Sequence, residues 1–106
     1  MKNEMPLIHH VFFWLKNKQS REDLNKLVEG LNTLKKIGEV KLFKIGVPAQ
    51  TPKRDVIDVS YQVSLMTMFE SIEDHNVYQD HDIHLAFVEN YKHLWEKVTV
   101  FDSMDI

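Results

Sequence analysis

Residues 7–15 read LIHHVFFWL, and this stretch decides the fold. Large apolar side chains occupy both the odd-numbered and the even-numbered positions of this stretch, which are its two parities. Val11 and Phe13 share one parity, while Phe12 and Trp14 share the other. Because side chains alternate between the two faces of a strand, the sequence predicts a strand that is covered on both sides.

A helix is predicted to follow this strand. Ser20 and Asp23 have the spacing of a capping box, in which a hydroxyl and a carboxylate serve the free amides of the first turn. Apolar residues then recur at intervals of three and four, which places one stripe against the core. The stripe consists of Leu24, Leu27, Val28, Leu31 and Leu34. Gly38 is expected to end the helix after Ile37.

The spacing of apolar residues along the chain predicts the remaining strands and helices. We expect strands at residues 40–47, 56–69 and 95–101, an exposed connection at 48–55, and two helical pieces at 71–79 and 83–93. The order β-α-β-β-α-β, with its second helix broken, is typical of the ferredoxin-like sandwich, an α+β fold. Helices cover only one face of such a sheet. The other face is therefore expected to pair with the same face of a second copy, which makes a homodimer.

Composition excludes several classes of function. The 106 residues have the length of a single domain, residues 1–106. A net charge of -3 offers no cationic field for nucleic acid. No segment has the roughly 20 apolar residues of a membrane span, and the N-terminus lacks the form of a signal peptide. With no cysteine in the chain, we expect a cytoplasmic protein that binds neither nucleic acid nor membrane.

The candidate chemistry lies in a histidine and a tyrosine near the end of the chain. His84 shares a helical stripe with Phe87 and Val88, so its ring is expected to face the sheet. Burial leaves such an imidazole neutral and able to accept a proton. Tyr78, on the preceding helical piece, carries a phenol that can hydrogen-bond a developing oxyanion.

His9 is a third candidate, because it shares one face of the first strand with Val11 and Phe13. The alternative is that these polar rings only hydrogen-bond one another or the backbone inside the core. His81 and His84 form His-x-x-His, a spacing found in metal sites. Without a third defined ligand we expect no metal and no other cofactor, and His81 is equally suited to cap a helix.

Four stretches together show a family pattern. They are His9 to Lys16 (HHVFFWLK), Met68 to Ser71, Tyr78 with His81 to His84, and Trp95 to Asp102. Their order and spacing resemble the stress-responsive dimeric α/β-barrel family, often called Dabb. The resemblance implies a ferredoxin-like protomer that pairs through its sheet into a dimeric α/β barrel with the helices outside.

The resemblance also implies a site. The plant olivetolic acid cyclase branch of the family promotes an aldol ring closure with a tyrosine and a histidine beside a pocket between helices and sheet. The matching residues here are Tyr78 and His84, with His9 at a strand position that borders the pocket. The expected ligand-binding walls are Val28, Phe87 and Trp95 by resemblance, together with Val11, Phe13 and Val88 from the shared faces and Leu31. Leu31 replaces an aromatic hydroxyl of the plant branch, and His81-Asp82-Ile83-His84 replaces its usual His-Pro-x-His.

Three functions fit these observations. The first is an uncharacterised dimeric barrel with a small-molecule pocket between helices and sheet, which we favour. The second is a cofactor-free lyase or cyclase for a carbonyl or polyketide-like substrate, with His84 as base and Tyr78 as oxyanion partner. The third is a stress-related structural dimer without catalysis. A related class of dimeric barrels contains cofactor-free monooxygenases, but no residue here selects that chemistry.

Overall fold

A four-stranded antiparallel sheet carries helices on one face. The structure, a computed structural model, describes residues 6–106; the N-terminal residues 1–5, where a signal peptide was not expected, lie outside the described residues. The elements are β1 (Leu7–Leu15), α1 (Arg21–Asn32), β2 (Leu42–Gly46), β3 (Val63–Phe69), α2 (Ile72–Asp80), α3 (Asp82–Tyr91) and β4 (Trp95–Met104), with 3-10 turns at Thr33–Lys36 and Lys92–Leu94. The strand order β2-β3-β1-β4 confirms the ferredoxin-like α+β fold.

The central strand β1 has the bounds that the sequence predicts, and one parity of its residues is buried under the helices. Val11 and Phe13 belong to this parity and are 7% and 3% exposed. The other parity, which includes Phe12 and Trp14, is half-buried on the face that carries no helix among residues 6–106. We call this side of the sheet the open face. Within residues 6–106 of one chain, helices therefore cover only one of the two faces of β1 that the sequence predicts to be covered.

The third strand begins later than the sequence predicts, at residue 63 instead of residue 56. β3 starts at Val63, and residues 47–62 form neither helix nor strand. Ile57 and Val59 share the parity expected to be buried, but Val59 is 50% exposed, so the alternation of this parity with polar residues does not mark a buried face there. The reason is the length of the neighbouring strands: β2 ends at Gly46. On the β1 side, the register of paired residues ends at Phe13, whose carbonyl accepts a hydrogen bond from the Gln62 N–H.

The first helix is shorter than predicted. α1 ends at Asn32 instead of Ile37, and a 3-10 turn follows. The Thr33 hydroxyl donates to the carbonyl of Gly30 at 2.6 Å, which satisfies a carbonyl of the last helical turn. Gly38 does not act as a left-handed helix cap, because no described glycine has a positive φ. Leu34 and Ile37 are nevertheless buried, so the apolar stripe continues beyond the end of α1.

The last strand runs further than predicted. β4 continues past Phe101 to Met104 and pairs with β1 along its length. This extension places Asp102 directly opposite His9. No helix within residues 6–106 has both the length and the apolar character needed to cross a membrane.

Candidate functional site

A cavity of about 160 Å³ lies between the helices and the helix-facing side of the sheet. Val98 and Val100 of the edge strand β4 line it and are 38% and 44% exposed, so the cavity reaches solvent at this edge. The remaining lining residues are His9, Val11, Phe13, Leu31, Leu34, Leu65, Tyr78, Gln79, His84, Phe87, Val88 and Trp95. Most of this lining is apolar, with the polar groups confined to α2, α3 and β1.

The cavity brings together the three expected polar residues and all but one of the expected wall residues. Val28 does not line it and packs against the core instead. The reason is the position of the α1 stripe. Leu27 and Leu31 are fully buried at its centre, whereas Val28 is only half-buried.

The start of α3 positions His84. His81 precedes this helix, and its Nδ1 accepts a hydrogen bond from the backbone N–H of Ile83 at 3.0 Å. A side-chain acceptor at this position satisfies one of the free amides of the first helical turn. The His81 to His84 spacing therefore serves to begin a helix, and the His84 ring turns toward the cavity one turn later.

His84 lies edge-on to Tyr78, with the ring centroids 4.8 Å apart at an interplanar angle of 65°. Its Nδ1 is buried and has no hydrogen-bond partner among residues 6–106. Burial lowers the pKa of His84; the imidazoles of His9 and His75 lower it further, and the Asp80 carboxylate partly offsets them. The His84 ring is therefore neutral near pH 7 and can accept a proton.

Tyr78 is the most deeply buried polar residue of the site, at 1% exposure. Its ring packs between Phe69 and His84, each at a centroid distance of 4.8 Å. Burial raises the pKa of the Tyr78 phenol well above its ordinary value of 10.0. The phenol therefore keeps its proton at neutral pH and is available as a hydrogen-bond donor.

His9 contacts a carboxylate that the sequence analysis did not single out. His9 is 5% exposed, and its Nδ1 lies 2.5 Å from Oδ1 of Asp102. Because a carboxylate only accepts, Nδ1 carries the proton and Nε2 has a free lone pair. Burial lowers the pKa of His9 more than the hydrogen bond and the charge of Asp102 raise it.

Three polar residues near the site, His75, Gln79 and Asp102, were missed by the sequence analysis. On α2, His75 lies three residues before Tyr78 and four before Gln79, so this helical spacing was a readable signal. Among the described residues, His75 Nε2 and Gln79 Oε1 are buried without a hydrogen-bond partner. Asp102 carried no such signal, because only the β1–β4 register brings it to His9.

Comparison with solved structures shows the same fold in several proteins. A Dabb family protein with a ferredoxin-like fold from Mesorhizobium loti is 24% identical, with a TM-score of 0.78 over 97% of this chain and 99% of that one. The hydroxynitrile lyase of Passiflora edulis is 20% identical, with a TM-score of 0.79 over 99% of this chain and 96% of that one. A dimeric ferredoxin-like protein of unknown function from Thermobifida fusca is 15% identical, with a TM-score of 0.76 over 98% and 94%.

Comparison with curated protein sequences finds no match. The family model described as the stress responsive A/B barrel domain matches residues 7–105. This match runs from the first residue of β1 to the residue after β4 and so includes every element of the fold. The chain therefore belongs to the Dabb family, the stress responsive A/B barrel domain proteins.

Proposed function

We propose that this protein is a homodimeric acid–base lyase or cyclase that acts on a small carbonyl compound with its own side chains. One observation carries the proposal. His84 Nδ1 is buried without a partner among residues 6–106, in a ring contact with a phenol that lines the same cavity. Buried polar atoms usually have hydrogen-bond partners, so an unpaired imidazole nitrogen on a residue that lines a cavity supports a ligand-binding role.

The proposed chemistry begins with proton transfer to His84. The neutral imidazole removes a proton from the carbon next to the substrate carbonyl, and the electron pair of that C–H bond moves onto the carbonyl oxygen. The protonated Tyr78 phenol donates a hydrogen bond to this oxygen. The enolate carbon then attacks a second carbonyl, and His84 returns the proton to the new alkoxide. In the reverse direction the same steps cleave a carbon–carbon bond.

The cavity favours a compact substrate. A volume of about 160 Å³ is close to that of an apolar protein cavity that binds benzene. Gln79 lines the cavity, and its buried Oε1 has no partner within residues 6–106, which favours a substrate carrying a hydroxyl or amine donor. A small hydroxycarbonyl compound fits these features better than a long polyketide. The hydroxynitrile lyase among the similar structures supports lyase chemistry on this fold.

The homodimer is proposed on the composition of the open face. Phe12 and Trp14 lie on it, and Phe101 is 64% exposed there. Contiguous exposed aromatic surface is typical of a protein interface. The similar protein from Thermobifida fusca, which is dimeric, supports the same assembly here.

A panel of small β-hydroxyketones and cyanohydrins, followed by release of the carbonyl product, tests the activity. We expect His84→Gln to reduce turnover by roughly 10²- to 10⁴-fold and Tyr78→Phe by roughly 10²- to 10³-fold. His93→Gln is the matched control, because His93 is exposed and does not line the cavity. It should retain the parent rate.

Stability separates catalysis from a packing role. His84 Nδ1 has no hydrogen bond within the described chain to lose, so His84→Gln should leave the denaturant midpoint nearly unchanged. If instead both site variants lose about 1–3 kcal/mol and the parent neither binds nor converts any member of the panel, the proposed activity is wrong.

A further inference from the structure

We propose that His9, His75 and Asp102 bind a divalent transition-metal ion such as Zn²⁺ or Co²⁺. One donor atom from each residue lies within 4.8 Å of the other two, and within residues 6–106 no other group of histidine, cysteine or acidic side chains meets this condition. The three residues lie on β1, α2 and β4, so the sheet and the adjacent helix hold them together.

The tautomer of His75 prepares it as a ligand. Its Nδ1 lies 3.1 Å from the side-chain oxygen of Asn76, which can only accept, so Nδ1 carries the proton. The lone pair is then on Nε2, which is buried and has no hydrogen-bond partner in the described chain. Metal-binding histidines commonly donate their second ring N–H in this way. A bound cation would give the unpaired nitrogen a partner.

The chemistry of the donor set fits the proposed ion. Two imidazoles and one carboxylate are a recurring ligand set for first-row transition metals, and three protein ligands leave coordination positions for water. The rings of His9 and His75 lie 4.8 Å apart at their centroids. His9 Nδ1 now donates a hydrogen bond to Asp102 at 2.5 Å, so ligation through Nδ1 requires the His9 proton to move to Nε2 and this hydrogen bond to open. The carboxylate supplies negative charge beside two ring nitrogens.

Binding requires a small closure of the cluster. Metal–ligand bonds of about 2.0–2.2 Å bring the ligand atoms within about 4 Å of one another. In this structure the three donor atoms lie within 4.8 Å of one another. The Asp102 side chain is 42% exposed and has room to move, whereas the His9 side chain is 6% exposed and is held in the core. His9 also lines the cavity, but His75 and Asp102 do not. The metal site can therefore be tested independently of the proposed lyase activity.

Metal titration of untagged, chelator-stripped protein tests the site. Zn²⁺ binding is followed by calorimetry and Co²⁺ binding by visible absorption, and we expect one ion per chain. His75→Phe keeps the ring and removes the nitrogens, while Asp102→Asn removes the charge. Each should weaken binding by at least about 10-fold. Melting curves of the metal-free variants establish that they fold; if His75→Phe does not, the exposed Asp102 decides the question.

Two controls exclude other histidines. His93→Gln removes an exposed imidazole, and His81→Asn removes one histidine of the His-x-x-His pair while leaving a residue that can cap α3. Both should retain the parent affinity. No binding tighter than about 0.1 mM, or binding that survives His75→Phe and Asp102→Asn, would overturn the proposal.

Discussion

At the scale of single residues, the main feature of the site is a set of buried polar atoms that lack hydrogen-bond partners. His84 Nδ1, His75 Nε2 and Gln79 Oε1 all lack a hydrogen bond within residues 6–106. Leaving such atoms unpaired costs stability, about 1–3 kcal/mol for each group. Their presence on neighbouring turns of α2 and α3 supports the proposal that this site binds a ligand.

Acid should destabilise the protein through His84. Burial lowers the pKa of His84 below its ordinary 6.5, so between the folded and unfolded pKa values the unfolded chain binds more protons. The free energy of unfolding is then greatest above about pH 6.5 and falls as the pH decreases. His84→Gln removes this contribution, and the urea midpoint should decrease less between about pH 7.5 and about pH 5. His9 retains its own share of the acid sensitivity, because burial also lowers its pKa.

The control for this pH dependence is His93→Gln, measured with a chelator present. His93 is exposed, and its replacement should leave the pH dependence of the parent unchanged. An equal loss of stability in acid for the parent and for His84→Gln would show that His84 is not the group responsible.

Gly30 allows α3 to pack closely on α1. A Cβ at this position would lie 2.7 Å from Cδ2 and Cε2 of Tyr91, whose ring stacks on Phe87. Gly30→Ala should therefore destabilise the protein by about 1–3 kcal/mol through overpacking, despite a gain of about 1 kcal/mol in helix propensity. Gly38→Ala is the control, since a Cβ added there would have no atom within 4 Å. A denaturant midpoint that rises in Gly30→Ala would contradict this prediction.

At the scale of elements, the break between α2 and α3 sets the positions of Tyr78 and His84. His81 has extended backbone angles, φ -66° and ψ 142°, and its side chain caps α3. Tyr78 lies in the last turn before the break, and His84 lies in the first turn after it. The cap therefore contributes directly to the geometry of the candidate acid–base pair.

Removing the cap should have a measurable cost. His81→Ala deletes the acceptor for the Ile83 N–H and should lower the free energy of unfolding by about 1 kcal/mol. His81→Asn supplies another acceptor at the same position and should recover most of the loss. Thermal or urea unfolding of the two variants decides the matter, and equal stability of His81→Ala and the parent would exclude a capping role.

At the scale of the whole molecule, the sheet exposes aromatic side chains on the face opposite the helices. Phe12 contacts Tyr61 and Phe101, with ring centroids 4.9 and 5.9 Å apart. Phe101 itself is 64% exposed. A second copy that packs its own open face here would bury these rings, as a twofold interface reuses one patch on both subunits.

Phe101→Glu should convert the proposed dimer into a monomer, because it would bury a carboxylate at the interface without a partner. Leu85→Glu is the matched control: Leu85 is 54% exposed on α3, on the helix side of the sheet. Size-exclusion chromatography with light scattering should show a dimer for the parent and for Leu85→Glu. A parent protein that is a stable monomer at micromolar concentration would refute the assembly.

The sequence by itself determined the order of the elements, the bounds of β1 and the family. It also identified His84 and Tyr78 as cavity-facing candidates, because helical spacing and N-cap residues are local signals. It placed the start of β3 too early for a physical reason. The alternation at residues 57–61 resembles a strand, but a strand forms only where a neighbour supplies backbone partners, and β2 ends at Gly46.

The tertiary structure alone decided which distant polar groups meet. His9 and Asp102 are 93 residues apart in the chain, and their contact depends on the register between β1 and β4. The placement of His75 beside His9 likewise depends on how α2 packs on the sheet. Strand register and helix packing arise from the sum of many long-range contacts, so no local pattern of residues could have predicted this cluster.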